Sequence, residues 1–235
     1  MDGRVVIGAS RTFALKYAVL LYGDGMSMFA TLHPVIMQKK SGAPHLGPGQ
    51  TLTTAFLKTL AEGLGARSVA EILPEKVLAR TPDMIAWWMP AQREVMFFGG
   101  VDPEARGLDG GTYPHPALVF KVTRRELFVR ALERDERPTA ETLLKTAPYW
   151  NCDATGRVCL GSVRVPDGAT AESIAGWQAG FFRSQFTHAN GAVRLTSYPG
   201  GFISLWKSLK NSQLPFPTEF LTDAQETLRQ FVERE

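Results

Sequence analysis

Between Val77 and Phe98 lie three short runs rich in β-forming residues: Val77 to Arg80, Met84 to Met89 and Arg93 to Phe98. Only Pro82-Asp83 and Pro90-Ala91 punctuate the gaps between them. Strands this close leave no room for the crossover of roughly a dozen residues that parallel pairing needs. The pattern predicts an antiparallel meander. Ala117 to Val122 supplies a fourth strand, beyond a Gly- and charge-rich stretch, Gly99 to Gly111, that reads as a loop. Ahead of the strands, Leu52, Phe56, Leu57, Leu60 and Leu64 recur at helical spacing, with Gly65 placed as a C-terminal cap. One helix followed by a four-stranded meander gives an α/β (α+β) architecture, an antiparallel sheet flanked by helices.

The flanks extend this frame. Arg4 to Leu21 and Met26 to Ile36 are β-rich and are joined by the turn Tyr22-Gly23-Asp24-Gly25, which predicts an N-terminal β-hairpin extension. Lys39 to Gly49, with its Gly and Pro residues, reads as a linker. The expected domains are therefore 1–49, hairpin and linker, and 50–235, with an insertion at about 123–147 between the last strand and the next loop. In that insertion Glu126 to Leu132 fits a strand or a short helix, Arg134 to Arg137 faces solvent, and Thr139 to Lys145 predicts a short helix. Farther on, Ile174, Trp177, Phe181 and Phe186 trace one side of a helix from about Thr170 to Thr187. Tyr198-Pro199-Gly200-Gly201 breaks the chain before a helix over Phe202 to Lys210. Thr222 and Gln225 form a capping-box pattern for a last helix bearing Ala224, Leu228, Phe231 and Val232.

Composition narrows the classes. With 44% hydrophobic and 21% charged residues the chain can bury a substantial core. Lys plus Arg is 26 against 23 for Asp plus Glu, and the basic residues are dispersed, so nucleic acid is not an expected partner. No apolar run approaches the ~20 residues of a membrane span, and Met1 to Ser10 lacks the pattern of an export signal, so a cytoplasmic protein is expected. Two cysteines make no disulfide framework. The four histidines, His33, His45, His115 and His188, are scattered, and there is no paired CxxC, so neither a metal nor another cofactor is expected. His115, between two prolines, reads as structural. His188 reads as the residue after a helix, suited to its C-terminal dipole.

The chemistry concentrates in Tyr149-Trp150-Asn151-Cys152-Asp153-Ala154-Thr155-Gly156-Arg157-Val158-Cys159-Leu160-Gly161. Asp153 to Gly156 is turn chemistry, because Asp bonds its own backbone and Gly accepts a positive φ. The chain then doubles back, so Asn151 and Cys159 can approach each other. A thiol beside a neutral amide suits acyl transfer: the thiolate attacks a carbonyl, and the amide N–H receives the charge that develops on its oxygen. Cys152, on the far side of the turn, reads as a partly buried spacer. Asp153 is either a local cap or a group that raises the basicity of an incoming lysine.

This segment resembles the active-site run of ubiquitin-conjugating (E2) enzymes. There an Asn closes a His-Pro-Asn triplet, a turn with Gly follows, and an apolar residue precedes the catalytic Cys and a Leu. Asn151, Gly156, Val158, Cys159 and Leu160 occupy those places, with the same Asn-to-Cys spacing. Tyr149-Trp150 stand where the family has His-Pro, so Tyr149 either takes over the orienting hydrogen bond or packs. With Trp87-Trp88-Met89-Pro90, Tyr113-Pro114-His115-Pro116-Ala117-Leu118-Val119-Phe120 and Arg137-Pro138, the chain is more narrowly similar to the bacterial E2-like proteins of family D, the protein B group of the plasmid-associated PRTRC system. The likeness runs from roughly Gln50 to the C-terminus.

The resemblance implies a UBC-like fold and a conjugating enzyme. An E1-like (ThiF-type) partner would load a ubiquitin-like protein onto Cys159 as a thioester, for transfer to a lysine or another acceptor. Asn151 would stabilise the oxyanion. Two other functions are open. A non-catalytic module that binds a ubiquitin-like protein would have Cys159 buried, and a Cys/His thiol hydrolase would have a His within hydrogen-bond reach of Cys159.

Overall fold

The computed structural model describes residues 4–6, 12–25, 27–38, 41–64, 72–100, 103–123, 126–189 and 194–234. Two compact units divide the chain, Met1–Glu71 and Ile72–Glu235. In the first, β1 (Arg4–Val6) and β2 (Thr12–Ala14) pair antiparallel. A long hairpin joins β3 (Tyr17–Gly23) to β4 (Met28–Met37), and Asp24 Oδ1 accepts the Ser27 N–H at its turn. Two short strands, β5 (Pro44–Leu46) and β6 (Gln50–Thr51), add to β4, so the stretch expected as a plain linker contains paired backbone. α1 (Thr54–Gly63) is N-capped by Thr53, whose hydroxyl accepts the Phe56 N–H. Gly65, its expected cap, lies outside the described residues.

The second unit runs β7 (Val77–Thr81), β8 (Met84–Met89), β9 (Gln92–Phe98), α2 (Pro103–Arg106), β10 (Gly111–His115), β11 (Leu118–Thr123), β12 (Glu126–Ala131), β13 (Leu143–Thr146), α3 (Ile174–Arg183), β14 (Gln185–Phe186), α4 (Gly201–Leu209), β15 (Asp223–Thr227) and α5 (Leu228–Glu233). Its main sheet is six-stranded and antiparallel, in the order β15-β13-β12-β11-β8-β7. β9 does not continue the meander. It pairs with β10 and, in parallel, with β14, while β8 takes β11 as its neighbour from Met89↔Leu118 to Thr123↔Met84. Pro90, which has no N–H to give a ladder, stands where β9 departs.

Four more expectations change. Thr139 to Lys145 is not a helix. Its C-terminal part is β13, where Leu144 and Thr146 are buried and Leu143 is exposed, a period of two that pairing with β12 and β15 reveals. The 123–147 stretch thus contributes two strands to the main sheet. The helix expected to reach Thr187 ends at Arg183, and the chain straightens into β14. The capping box sits at Thr227 and Gln230, after an edge strand that includes Gln225. In the Gly99 to Gly111 stretch, α2 forms, and Gly111 already begins β10.

β8 and β11 are buried almost end to end, as central strands covered on both faces must be. Leu118, Phe120 and Val122 point into an aromatic core with Trp87, Tyr149, Trp177, Phe181, Phe186 and Trp206. Val119 faces the opposite side with Leu144, Leu228 and Phe231, under α5. Each fully buried large side chain contributes ~1.5–3 kcal/mol, so these rings supply the main force that fixes the loop resting on them. On the α5 side, Lys121 Nζ donates to the carbonyls of Phe231 and Arg234 at 2.7 and 2.9 Å, satisfying the helix end. Burial pushes the Lys121 pKa down to about 8.

Candidate active site

The Cys segment lies against β12. β13 pairs with β12 only at Arg130 and Ala131, so the other half of that edge is open to the loop. Val129 N–H donates to Gly156 C=O and Val158 N–H to Leu127 C=O, each at 2.8 Å. Gly156, at φ 82°, is required here, because a Cβ would stand 2.6 Å from the Val129 carbonyl oxygen. Behind the loop, the buried Arg130 guanidinium pairs with Glu226 at 2.6 Å and donates to Ala154 C=O at 2.9 Å.

The segment is a tight hairpin. Asp153 Oδ1 accepts from Thr155 N, Thr155 Oγ1 and Arg157 N at 2.8, 2.6 and 3.1 Å, so its carboxylate acts as a local cap. The rungs are Asp153 N–H to Arg157 C=O, a bridge between Cys152 and Val158, and Cys159 N–H to Asn151 C=O at 2.8 Å. Cys152 and Val158 turn inward. Cys159, next along, is exposed. Burial pushes the Cys152 thiol pKa well up, which keeps it protonated and unreactive.

Tyr149 does not reach Asn151. Its hydroxyl bonds His115 Nδ1 at 2.8 Å, the two rings stack at 5.7 Å, and both residues are buried. Burial drives the His115 pKa down to about 3, so the imidazole is neutral, and raises that of Tyr149. His115, on β10 rather than in a turn before a strand, thus buttresses the start of the Cys hairpin. Trp150 stacks on Phe202 of α4 at 4.8 Å.

Asn151 sits at φ 63°, a left-handed conformation that Asn tolerates better than most residues. Its side chain grips the segment after α3. Nδ2 donates to Gln185 C=O at 2.7 Å, and Oδ1 accepts from Thr187 N and Thr187 Oγ1 at 3.1 and 3.2 Å. Its main-chain N–H donates to His188 C=O at 3.0 Å. A segment some 35 residues downstream is thereby laid along the loop.

Between them opens a cleft of about 360 Å³, lined by Asn151, Cys159, Arg183, Gln185, Thr187 and His188, together with the chain from Leu160 to Val163. On the other side of Cys159 a groove of about 370 Å³ carries Asp153 and the ion pair Glu126–Arg157, 2.8 Å. The sulfur therefore borders two approaches. Gln185, Thr187 and His188 were missed as cleft residues at the sequence level. The apolar spacing through Phe186 mimics a continuing helix, and no local signal marks the chain's return to Asn151.

The observations that would favour the two other functions are not met. Cys159 is not buried, and among the described residues no histidine hydrogen-bonds its sulfur. Among the described residues no cluster of His, Cys, Asp and Glu is placed to hold a metal, and no helix is long and apolar enough to cross a membrane.

No curated protein and no solved structure matches the chain. A family model does, over residues 54–224, which takes in α1, the main sheet up to the start of β15, the Cys hairpin and the segment that covers it. The chain belongs to prokaryotic E2 family D.

Proposed function

We propose that the protein is a conjugating enzyme whose nucleophile is Cys159. The single observation that carries this reading is the exposed thiol on the return arm of a rigid hairpin, at the rim of a cleft it shares with Asn151. An E1-like, ThiF-type partner activates the C-terminal carboxyl of a ubiquitin-like protein with ATP and presents it as a thioester. The Cys159 thiolate attacks that carbonyl, and the partner's thiolate leaves. Attacking and leaving groups are of one kind, so the exchange needs no strong base. A lysine amine or another nucleophile then attacks the Cys159 thioester. The Asn151 Nδ2 carries a second hydrogen besides the one directed to Gln185, and that hydrogen meets the oxyanion.

Within this reading the conjugating domain is 50–235, with a UBC-like arrangement, and 1–49 is an extension. The protein belongs with the PRTRC protein B group and works in a bacterial cytoplasm. Tyr149 supports the site from beneath, and Asp153 shapes the turn that holds it.

The test is an adduct assay. The protein is mixed with a ThiF-type activating protein, a ubiquitin-like protein and ATP. The expected product is a thiol-labile adduct, replaced by a thiol-resistant oxyester in Cys159→Ser and absent in Cys159→Ala. An adduct on Cys159→Ala would sink the assignment.

A further inference from the structure

We infer that His188 is the proton acceptor for discharge of the Cys159 thioester, an inference that rests on the conjugating reading above. A chain of hydrogen bonds with a fixed polarity leads from Gln185 through Asn151 and Thr187 to His188. Gln185 contributes a carbonyl and Thr187 an N–H to the Asn151 amide, so the amide can sit only one way round, with Nδ2 on Gln185 and Oδ1 on Thr187. Oδ1 can only accept. The Thr187 hydroxyl, at 3.2 Å, gives it its single hydrogen. What remains on Thr187 Oγ1 is lone pairs, yet His188 Nδ1 lies 2.8 Å away. Nδ1 is thus the donor and carries the ring proton. Nε2 is left as a bare acceptor, and nothing among the described residues occupies it.

This residue lines the same cleft as Cys159. The cleft's other charged or titratable side chain is Arg183, which cannot take a proton. Protonation of Nε2 leaves the Nδ1–H···Oγ1 bond intact, so the ring can gain and lose a proton without disturbing Asn151.

The step balances. The amine nitrogen bonds the thioester carbonyl carbon. Its proton passes to Nε2. The C–S bond breaks with its electron pair leaving on the Cys159 sulfur, and the imidazolium returns the proton to that thiolate or to water. Loading involves only thiolates and no such proton, so His188 acts on discharge alone.

The test avoids the activating partner. Wild-type protein is charged at Cys159 by exchange with a Gly-Gly peptide thioester of mercaptoethanesulfonate. The adduct is followed by intact mass, then chased with free lysine under single-turnover conditions. His188→Ala and His188→Asn are compared with wild type, the Asn variant keeping an N–H donor near the position of Nδ1 while lacking a base. Both should charge at the wild-type rate and discharge ~100-fold more slowly, the usual minimum for a lost general base. Added imidazole should restore part of the rate to His188→Ala. Wild-type discharge by His188→Asn, or no rescue of His188→Ala by imidazole, overturns the inference and leaves the conjugating reading intact. Failure of the wild-type thiol to charge removes that reading, and this inference with it.

Discussion

Replacing His115 by Asn should reduce the acid sensitivity of the second unit between pH 6.5 and about 5. The imidazole is buried and neutral, its pKa lowered to about 3 from 6.5, chiefly by burial and further by the Arg93 cation. The unfolded chain takes up a proton below 6.5 and the folded chain does not until about 3. Its stabilising contribution is therefore complete above 6.5 and is lost as the pH falls through that window. Each pH unit is worth ~1.4 kcal/mol, so between pH 6.5 and about 5 the wild type should lose about 2 kcal/mol to this one group. Urea unfolding followed by Trp fluorescence measures it. All five Trp residues lie in the second unit, and the other three histidines are common to both proteins, so the difference isolates His115. His115→Asn should be less stable near neutrality, having lost its stacking with Tyr149, but its stability should fall by about 2 kcal/mol less over that interval. Parallel pH profiles would refute the claim that the His115–Tyr149 pair is sealed beneath the Cys hairpin.

Other outcomes follow from the same geometry. A small alkylating reagent should label Cys159 quickly and Cys152 only on unfolding, read by mass; equal labelling would contradict the inward turn of Cys152. Gly156→Ala combines a left-handed φ, ~1–2 kcal/mol, with a clash against Val129 C=O, and should reduce stability by at least ~2 kcal/mol in urea unfolding. Arg130→Ala leaves Glu226 paired with Arg234 alone and removes the donor to Ala154 C=O, and should cost more than the exposed Arg157→Ala in thermal unfolding.

What could be read from sequence was what is local. The Asp153–Gly156 turn, the return of Cys159 to Asn151 and the β-runs around Met84 and Arg93 are set by neighbours a few positions apart. Which strand a run pairs with is not so set. Nothing in Gln92 to Phe98 says that its partners are β10 and β14 rather than β8. Leu143 and Leu144 are adjacent apolar residues that fit a helix or a strand, and the choice falls to β12 and β15 on either side. Phe186 continues the apolar spacing of α3 while buried from a strand, so periodicity hid the break at Arg183. That break is what delivers Gln185, Thr187 and His188 to the cleft.

The same network decides how Asn151 must be tested. Asn151→Ala removes the proposed donor for the oxyanion, but it also strips Gln185 C=O and Thr187 N–H of their partner and forces Ala into a left-handed φ. A cleft that has lost its clamp would slow every reaction of Cys159. An amide that only meets the oxyanion of amine attack would slow discharge alone, by ~100- to 1,000-fold. The measurement is therefore the ratio of discharge to loading, with Asn151→Gly as companion. Gly relieves the backbone strain while removing the same amide. If the amide carries charge, both variants should load within a few-fold of wild type and share the discharge defect. If it is only a clamp, loading and discharge should decline together in both, and Gly should recover part of each. That second pattern would leave Asn151 as the residue that builds the cleft and take it out of the chemistry.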